Sequence, residues 1–373
     1  MRHLLMIMTA TCALSATISR AANDGNLEGQ MFSLARQIQD TLDSDPRVMG
    51  QSLMMEKFDG EGEAAASNFG LQISKMLRDQ LASALTENSK FILAGSYHYV
   101  TSADPATPNA KVLLVTAQIK NDRGKEMKTI SVEINNTDNI FQVLGLTGAA
   151  PQDHRADFSK RNQAAQEARE KPSFDTIGTY VTAQRAPQWA MGILKKSTFN
   201  GPTSPVAPQN VNGFAFTSIG VGEYYEIELV NHDMSDAVAN LTVDGLEVAN
   251  TFSKDKDQTG QPIHWPGYLV KAGERVVIRG WLYSIDQRVK DNVFSFRVVD
   301  LGQGAASALK GRGSIGVITV QFREACEPNS QLSGRSFGET AKGEGLQEKL
   351  EAKEIQIGRN VLSTISIRYN RPE

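Results

Sequence analysis

Two hydrophobic periods occupy different stretches of this chain, and their division limits the fold more than any single motif. Leu27, Met31, Leu34, Ile38 and Leu42 recur at helical spacing and fall on one stripe of an amphipathic helix. From Thr179 the period drops to two. Tyr225, Ile227 and Leu229 alternate with Tyr224, Glu226 and Glu228, and Ala239, Leu241 and Val243 alternate with Asn240 and Thr242 before an Asp244-Gly245 turn. Val277 and Trp281, then Phe294, Phe296 and Val298, then Ile318, Val320 and Phe322, then Ile365, Ile367 and Tyr369 continue the pattern. About nine strands separated by Gly, Asn and Asp turns predict an antiparallel β-sandwich, of jelly-roll or immunoglobulin-like type.

The earlier stretch predicts a small α/β layer domain. Pro46 closes the first helix, Val48 to Phe58 is strand-like, and Asp59-Gly60-Glu61-Gly62 makes a turn. Ser67 is the candidate N-cap of a second helix, with Phe69, Ile73, Leu77, Leu81 and Leu85 on one face. Phe91 to Ala94 forms a strand, and Lys111 to Lys120 and Thr129 to Asn135 form a hairpin over Asn121-Asp122-Arg123-Gly124. A chain of 373 residues is too long for one core. The expected class is therefore an α+β multidomain protein: signal 1–21, α/β domain 22–147, linker 148–178 and β-sandwich 179–373.

Charge and the first residues supply an address. With 39 basic and 42 acidic side chains the net charge is −3, which lacks the basic footprint of a nucleic-acid binder. Met1-Arg2-His3, the apolar run Leu4 to Ile18 and then Ser19-Arg20-Ala21 read as a secretory signal cleaved before Ala22. The run is short for a membrane span, since a helix rises only about 1.5 Å per residue against a hydrocarbon core of about 30 Å. Cys12 lacks the flanking residues of a lipidation site, and it leaves with the signal, so Cys326 becomes the lone thiol. The protein is expected to be exported, to the periplasm, the outer membrane or beyond. Membrane association would come through partners or an uncleaved signal.

Motifs that could carry chemistry stand in the wrong context. Gly334-Arg335-Ser336-Phe337-Gly338 matches the serine-hydrolase elbow, but no histidine follows it and its flanks are polar. Gly311-Arg312-Gly313-Ser314-Ile315-Gly316 leads into a strand, where a dinucleotide site needs a helix. Gly60-x-Gly62-x-x-Ala65 stands between strand and helix, yet Glu61 and Glu63 would oppose phosphate. Asp255, Asp257, Thr259 and Gly260 imitate an EF-hand start, with Pro266 where the closing Glu belongs. No catalytic residue, metal or cofactor is expected. Asp255, Asp257, His264, Trp265 and Tyr268, on the loop 251–268, are the candidate ligand contacts. Tyr97, Tyr99, Tyr224, Tyr225, Trp281 and Tyr283 are read mainly as core rather than as a binding platform.

Leu34-Ala35-Arg36-Gln37-Ile38, the strand ending at Phe58 and Asn68-Phe69-Gly70-Leu71-Gln72-Ile73-Ser74 carry a resemblance, continued by Leu77, Leu81, Ile92 to Tyr97 and Val112 to Ile119. Over residues 27–147 the chain resembles the α/β domain of bacterial envelope proteins of the flagellar outer-membrane-protein O type. Curli-secretion lipoproteins and activators of penicillin-binding proteins have a similar architecture. The resemblance is one of pattern and does not extend to the sandwich or to a lipidation site. It implies a non-enzymatic accessory or scaffold protein that docks to other envelope proteins; a homo-oligomer is also compatible with the sequence. The alternative is a secreted carbohydrate-binding protein or hydrolase with its site on loop 251–268.

Overall fold

The computed structural model describes residues 27–101, 111–134, 138–149, 158–257, 260, 262–309, 316–326, 345–350, 352–353 and 355–369. The signal segment, the Gly334–Gly338 motif and most of the Gly311–Gly316 motif lie outside these residues. The chain forms two compact units, Met1–Asn139 and Ile140–Glu373.

In the first unit, helix α1 (Leu27–Ser44) buries its whole predicted stripe, with Leu34 and Ile38 fully removed from solvent. Strand β1 (Met54–Gly60) runs parallel to β2 (Phe91–Thr101), and helix α2 (Phe69–Gln80) makes the crossover. β3 (Lys111–Asn121) and β4 (Glu126–Ile134) follow antiparallel, giving a four-stranded sheet in the order β1-β2-β3-β4. Asn121 shapes the hairpin, its side-chain oxygen accepting from the N–H groups of Arg123 and Lys125.

One side of this sheet is sealed by the helices: Leu93, Tyr97, Val115, Ala117, Ile119, Ile130 and Val132 are buried together with Ile73 and Leu77. Gly70 permits the seal, because a Cβ there would stand 1.8 Å from the Phe58 carbonyl oxygen. The second helix is shorter than its apolar spacing predicts, with Asn68 rather than Ser67 at the cap. The Ser67 hydroxyl is drawn to the Tyr97 hydroxyl at 2.8 Å. At the other end Leu53 and Ala84 to Thr86 exchange backbone hydrogen bonds, which turns the chain away before Leu85.

The second unit opens within helix α3 (Asp138–Leu144) and continues with α4 (Phe158–Glu170), a helix inside the segment expected as a linker. The first strands are β5 (Asp175–Ile177), β6 (Tyr180–Ala183), β7 (Ala186–Lys196), β8 (Ser204–Val206), β9 (Gln209–Val211) and β10 (Phe214–Thr217). β11 (Tyr224–Asn231), β12 (Ala237–Val243), β13 (Leu246–Glu247), β14 (Tyr268–Val270), β15 (Arg275–Ile278) and β16 (Gly280–Leu282) follow. β17 (Val293–Arg297), a short α5 (Ala305–Ala308), β18 (Val317–Cys326), β19 (Gly345–Leu346) and β20 (Gln356–Tyr369) complete the unit.

They form two sheets, one ordered β16-β17-β11-β7-β6-β5 and the other β13-β12-β18-β20-β10-β9. β15, β19 and β8 join the first sheet beside β11, β17 and β7, and β14 joins the second beside β12. Their inner faces meet: Trp189 of β7 stacks on Phe322 of β18 at 5.3 Å, and Tyr225 of β11 meets Tyr369 of β20 at 5.9 Å. The second unit is therefore sheet-rich and mainly antiparallel, with one departure from the expected pattern. β10 runs parallel to β20, pairing Ala215 with Ile367 and Thr217 with Tyr369.

The polar halves of the alternating strands are also buried, contrary to a simple inside–outside reading. Glu226 lies against Lys196 and Arg279, and Glu228 accepts from the Tyr180 hydroxyl at 2.7 Å with Arg275 beside it. On the other sheet Asn240, Thr242, Thr319, Gln321, Thr364 and Ser366 are all at most 3% exposed. The stretch after α3 lies on β20: Gly148 bridges Thr364, Ser366 donates to the Leu146 carbonyl at 3.1 Å, and Arg368 donates to that of Leu144 at 3.1 Å.

Candidate functional site

The loop 251–268 carries the five residues chosen from the sequence, and the structure brings Asp255 and Trp265 into contact while His264 turns to Glu247. Asp255 is a hub. Its carboxylate accepts from the Ser284 hydroxyl at 2.6 Å, the Trp265 indole N–H at 3.0 Å and the Ile285 backbone N–H at 3.2 Å. Trp265 is held a second time, since its backbone N–H and carbonyl exchange hydrogen bonds with the Asn250 amide at 2.7 and 2.9 Å. His264 approaches the buried Glu247 carboxylate at 3.7 Å. Asp257 is half-buried, and its carbonyl accepts from Gly260 in the tip of the loop. Tyr268 begins β14, and burial pushes its phenol well above the usual range. Gly267, at φ +128, brings this strand onto β12, where a Cβ would stand 2.4 Å from the Ala239 carbonyl oxygen.

These bonds brace the loop. With the Ser253 hydroxyl at 3.3 Å, four donors on one carboxylate fix Asp255 as an anchor, in the way that an Asx turn replaces backbone pairing. Among the described residues no group of three His, Cys, Asp or Glu side chains converges as a metal site. Cys326 is half-buried at the end of β18. The aromatic residues divide as expected for core packing. Tyr97, Tyr225 and Trp281 are buried, with Trp281 edge-on to both Phe252 and Phe296.

Another buried acid escaped the sequence reading, which treated Asp244 only as a turn residue. Its carboxylate accepts the backbone N–H groups of Gly316 and Val317 at 2.5 and 3.1 Å and the Tyr369 hydroxyl at 2.8 Å. Burial outweighs these three bonds and pushes its pKa up to about 6. At φ +57 it occupies the left-handed region that Asp and Asn tolerate best. It ties the turn after β12 to the start of β18 and the end of β20.

The other site of interest is a surface. On the side of the first unit's sheet away from its helices, Met54, Ile92, Ala94, Val100 and Leu114 are half-exposed, interleaved with Ser96, His98, Thr116 and Gln118. Cross-strand pairs His98–Leu114 and Ser96–Thr116 place apolar and polar groups alongside each other across the middle of this face. Such a mixture suits protein recognition better than a core layer, which would be uniformly apolar. Glu61, the residue after β1, reaches His98 at 3.6 Å on the rim. The Gly60–Ala65 segment, where Glu61 and Glu63 oppose phosphate, folds in on itself, with a short 3-10 helix at Gly62–Ala66. Ala64 donates to the Glu61 carbonyl and Ser67 to that of Ala64.

Among the described residues no helix is long and apolar enough to cross a membrane. No protein family, curated protein or solved structure matches the chain.

Proposed function

We propose that this chain is an exported, non-enzymatic accessory or scaffold protein of the bacterial cell envelope. On this reading its α/β unit docks to other envelope proteins through the half-exposed face of the four-stranded sheet. The observation that carries the reading is that face, where Met54, Ile92, Val100 and Leu114 stand among short polar side chains. The signal-like start and the resemblance of residues 27–147 support the address. The bracing of Asp255, Trp265 and Tyr268 into the loop's own framework weighs against a ligand site at 251–268.

The sandwich serves in this reading as a rigid interaction domain of immunoglobulin-like type. Two features favour that type over a jelly roll. β10 pairs parallel with the last strand, on the far side of β20 from the antiparallel run β20-β18-β12. The facing sheet runs β7-β11-β17-β16, the order of the first, second, fifth and fourth strands of an immunoglobulin domain. Fractionation followed by chemical crosslinking of intact cells tests the proposal. The expected result is a chain beginning near Ala22 in the envelope or periplasmic fraction, linked to other envelope proteins. A cytoplasmic chain, or an exported one that hydrolyses or binds glycans alone, would overturn it.

A further inference from the structure

The two edges of the four-stranded sheet are built differently. β1 is closed to further pairing by devices that natural sheets use at their edges. Its start is occupied by Ala84 and Thr86, its ladder is interrupted between Met55 and Phe58, and Lys57 pairs with Asp59 at 2.5 Å. β4 has none of these from Lys128 onward. Lys128 to Ile134 pairs with β3 without interruption, and among the described residues no hydrogen bond reaches the opposite edge of this stretch. Along these seven residues every second one turns its N–H and carbonyl away from β3, and those alternate residues present an unused row of backbone groups.

We infer that this edge binds a second copy of the chain, with β4 pairing antiparallel to the partner's β4 across a two-fold axis. The self-match is what points to a copy. An antiparallel duplicate offers the same row in the complementary sense, and the interface closes on itself. The register that pairs the whole uninterrupted stretch is centred on Ser131, which then faces its own counterpart. Lys128 lies opposite Ile134, Thr129 opposite Glu133 and Ile130 opposite Val132, so no like charges face each other. Ile130, Val132 and Ile134, already on the helix-covered side, extend their apolar row into the partner. Thr129 and Ser131 are exposed on the other side and small enough to let the strands approach.

The Ser131 pair gives a direct test. In an antiparallel pair, opposed Cα atoms stand about 4.5 or 5.5 Å apart, within disulfide reach. Ser131→Cys, in a chain with Cys12→Ser and Cys326→Ser, is expected to give a disulfide-linked dimer on mild oxidation. The unmodified protein is expected to sediment at twice the chain mass. Ser131→Lys changes an exposed position and places two like charges at the axis, so it should weaken association by about tenfold or more. A monomer at tens of micromolar overturns the inference. So does a dimer that Ser131→Lys leaves intact and Ser131→Cys fails to link. Thr129→Cys, facing Glu133 in this register, serves as the control that should link poorly.

Discussion

Replacing Asp244 by Asn tests the buried acid with little change of shape. Asn keeps an oxygen for the Gly316 and Val317 N–H groups, its amide can donate to the Tyr369 oxygen, and it tolerates the positive φ. What the substitution removes is the ionisation. The folded pKa of about 6 stands above the ordinary 3.8. The folded state therefore holds a proton between those values that the unfolded chain has lost. Stability from this group is fully present below about pH 4 and falls as the pH rises toward 6. At about 1.4 kcal/mol per pKa unit the whole loss is on the order of 3 kcal/mol.

All three tryptophans, Trp189, Trp265 and Trp281, lie in the second unit, so their fluorescence reports its unfolding alone. Urea titrations of both proteins should show Asp244→Asn gaining about 2–3 kcal/mol on the natural chain between pH 4 and pH 7. Taking the difference between the two proteins cancels the other carboxylates. A difference that stays constant within about 0.5 kcal/mol across that range would refute the reasoning.

Other substitutions probe the remaining packing and bracing. Asp244→Ala leaves two N–H groups and a hydroxyl without their acceptor and should cost about 2–4 kcal/mol by the same fluorescence assay. Asp255→Ala should cost about 1–3 kcal/mol and shift tryptophan emission to the red as Trp265 loses its indole partner; an unchanged spectrum would contradict the hub role. Gly70→Ala pushes a methyl against the Phe58 carbonyl and should lower first-unit stability by about 2 kcal/mol or more, read by hydrogen exchange in α2. Gly124→Ala, where no atom lies within 4 Å, should cost only the positive-φ penalty of about 1 kcal/mol. Equal effects of the two glycine changes would remove the case for a tight helix–strand contact at Gly70.

Much of the framework was legible in the chain because it depends on local periodicity. The stripe Leu27 to Leu42 is a buried helix face, the Asn121–Gly124 turn joins two strands, and Tyr225, Ile227 and Leu229 do face a core. What escaped depends on partners far along the chain. Thr364 and Ser366 look like outward-facing polar residues until Leu146 to Gly148 is laid over them. The parallel β10–β20 pair joins segments about 150 residues apart, and no local pattern marks its direction. The site was legible as a place but not as a role. Asp255 and Trp265 do meet while His264 faces Glu247, and only the geometry reveals that Asp255 serves the loop. Asp244 carries an ordinary turn signature, and nothing near it announces that its carboxylate is buried beneath Tyr369.

The docking claim is tested most directly by photo-crosslinking in living cells from single positions on the chain. Leu114 and Ile92 report the half-exposed sheet face, and exposed Lys256 reports the loop as a control. The account expects adducts with envelope proteins from Leu114 and Ile92, those from Leu114 lost when a neighbouring Val100→Glu change charges that end of the face, and none from Lys256. Adducts from Lys256 alone, with the sheet face silent, would contradict it.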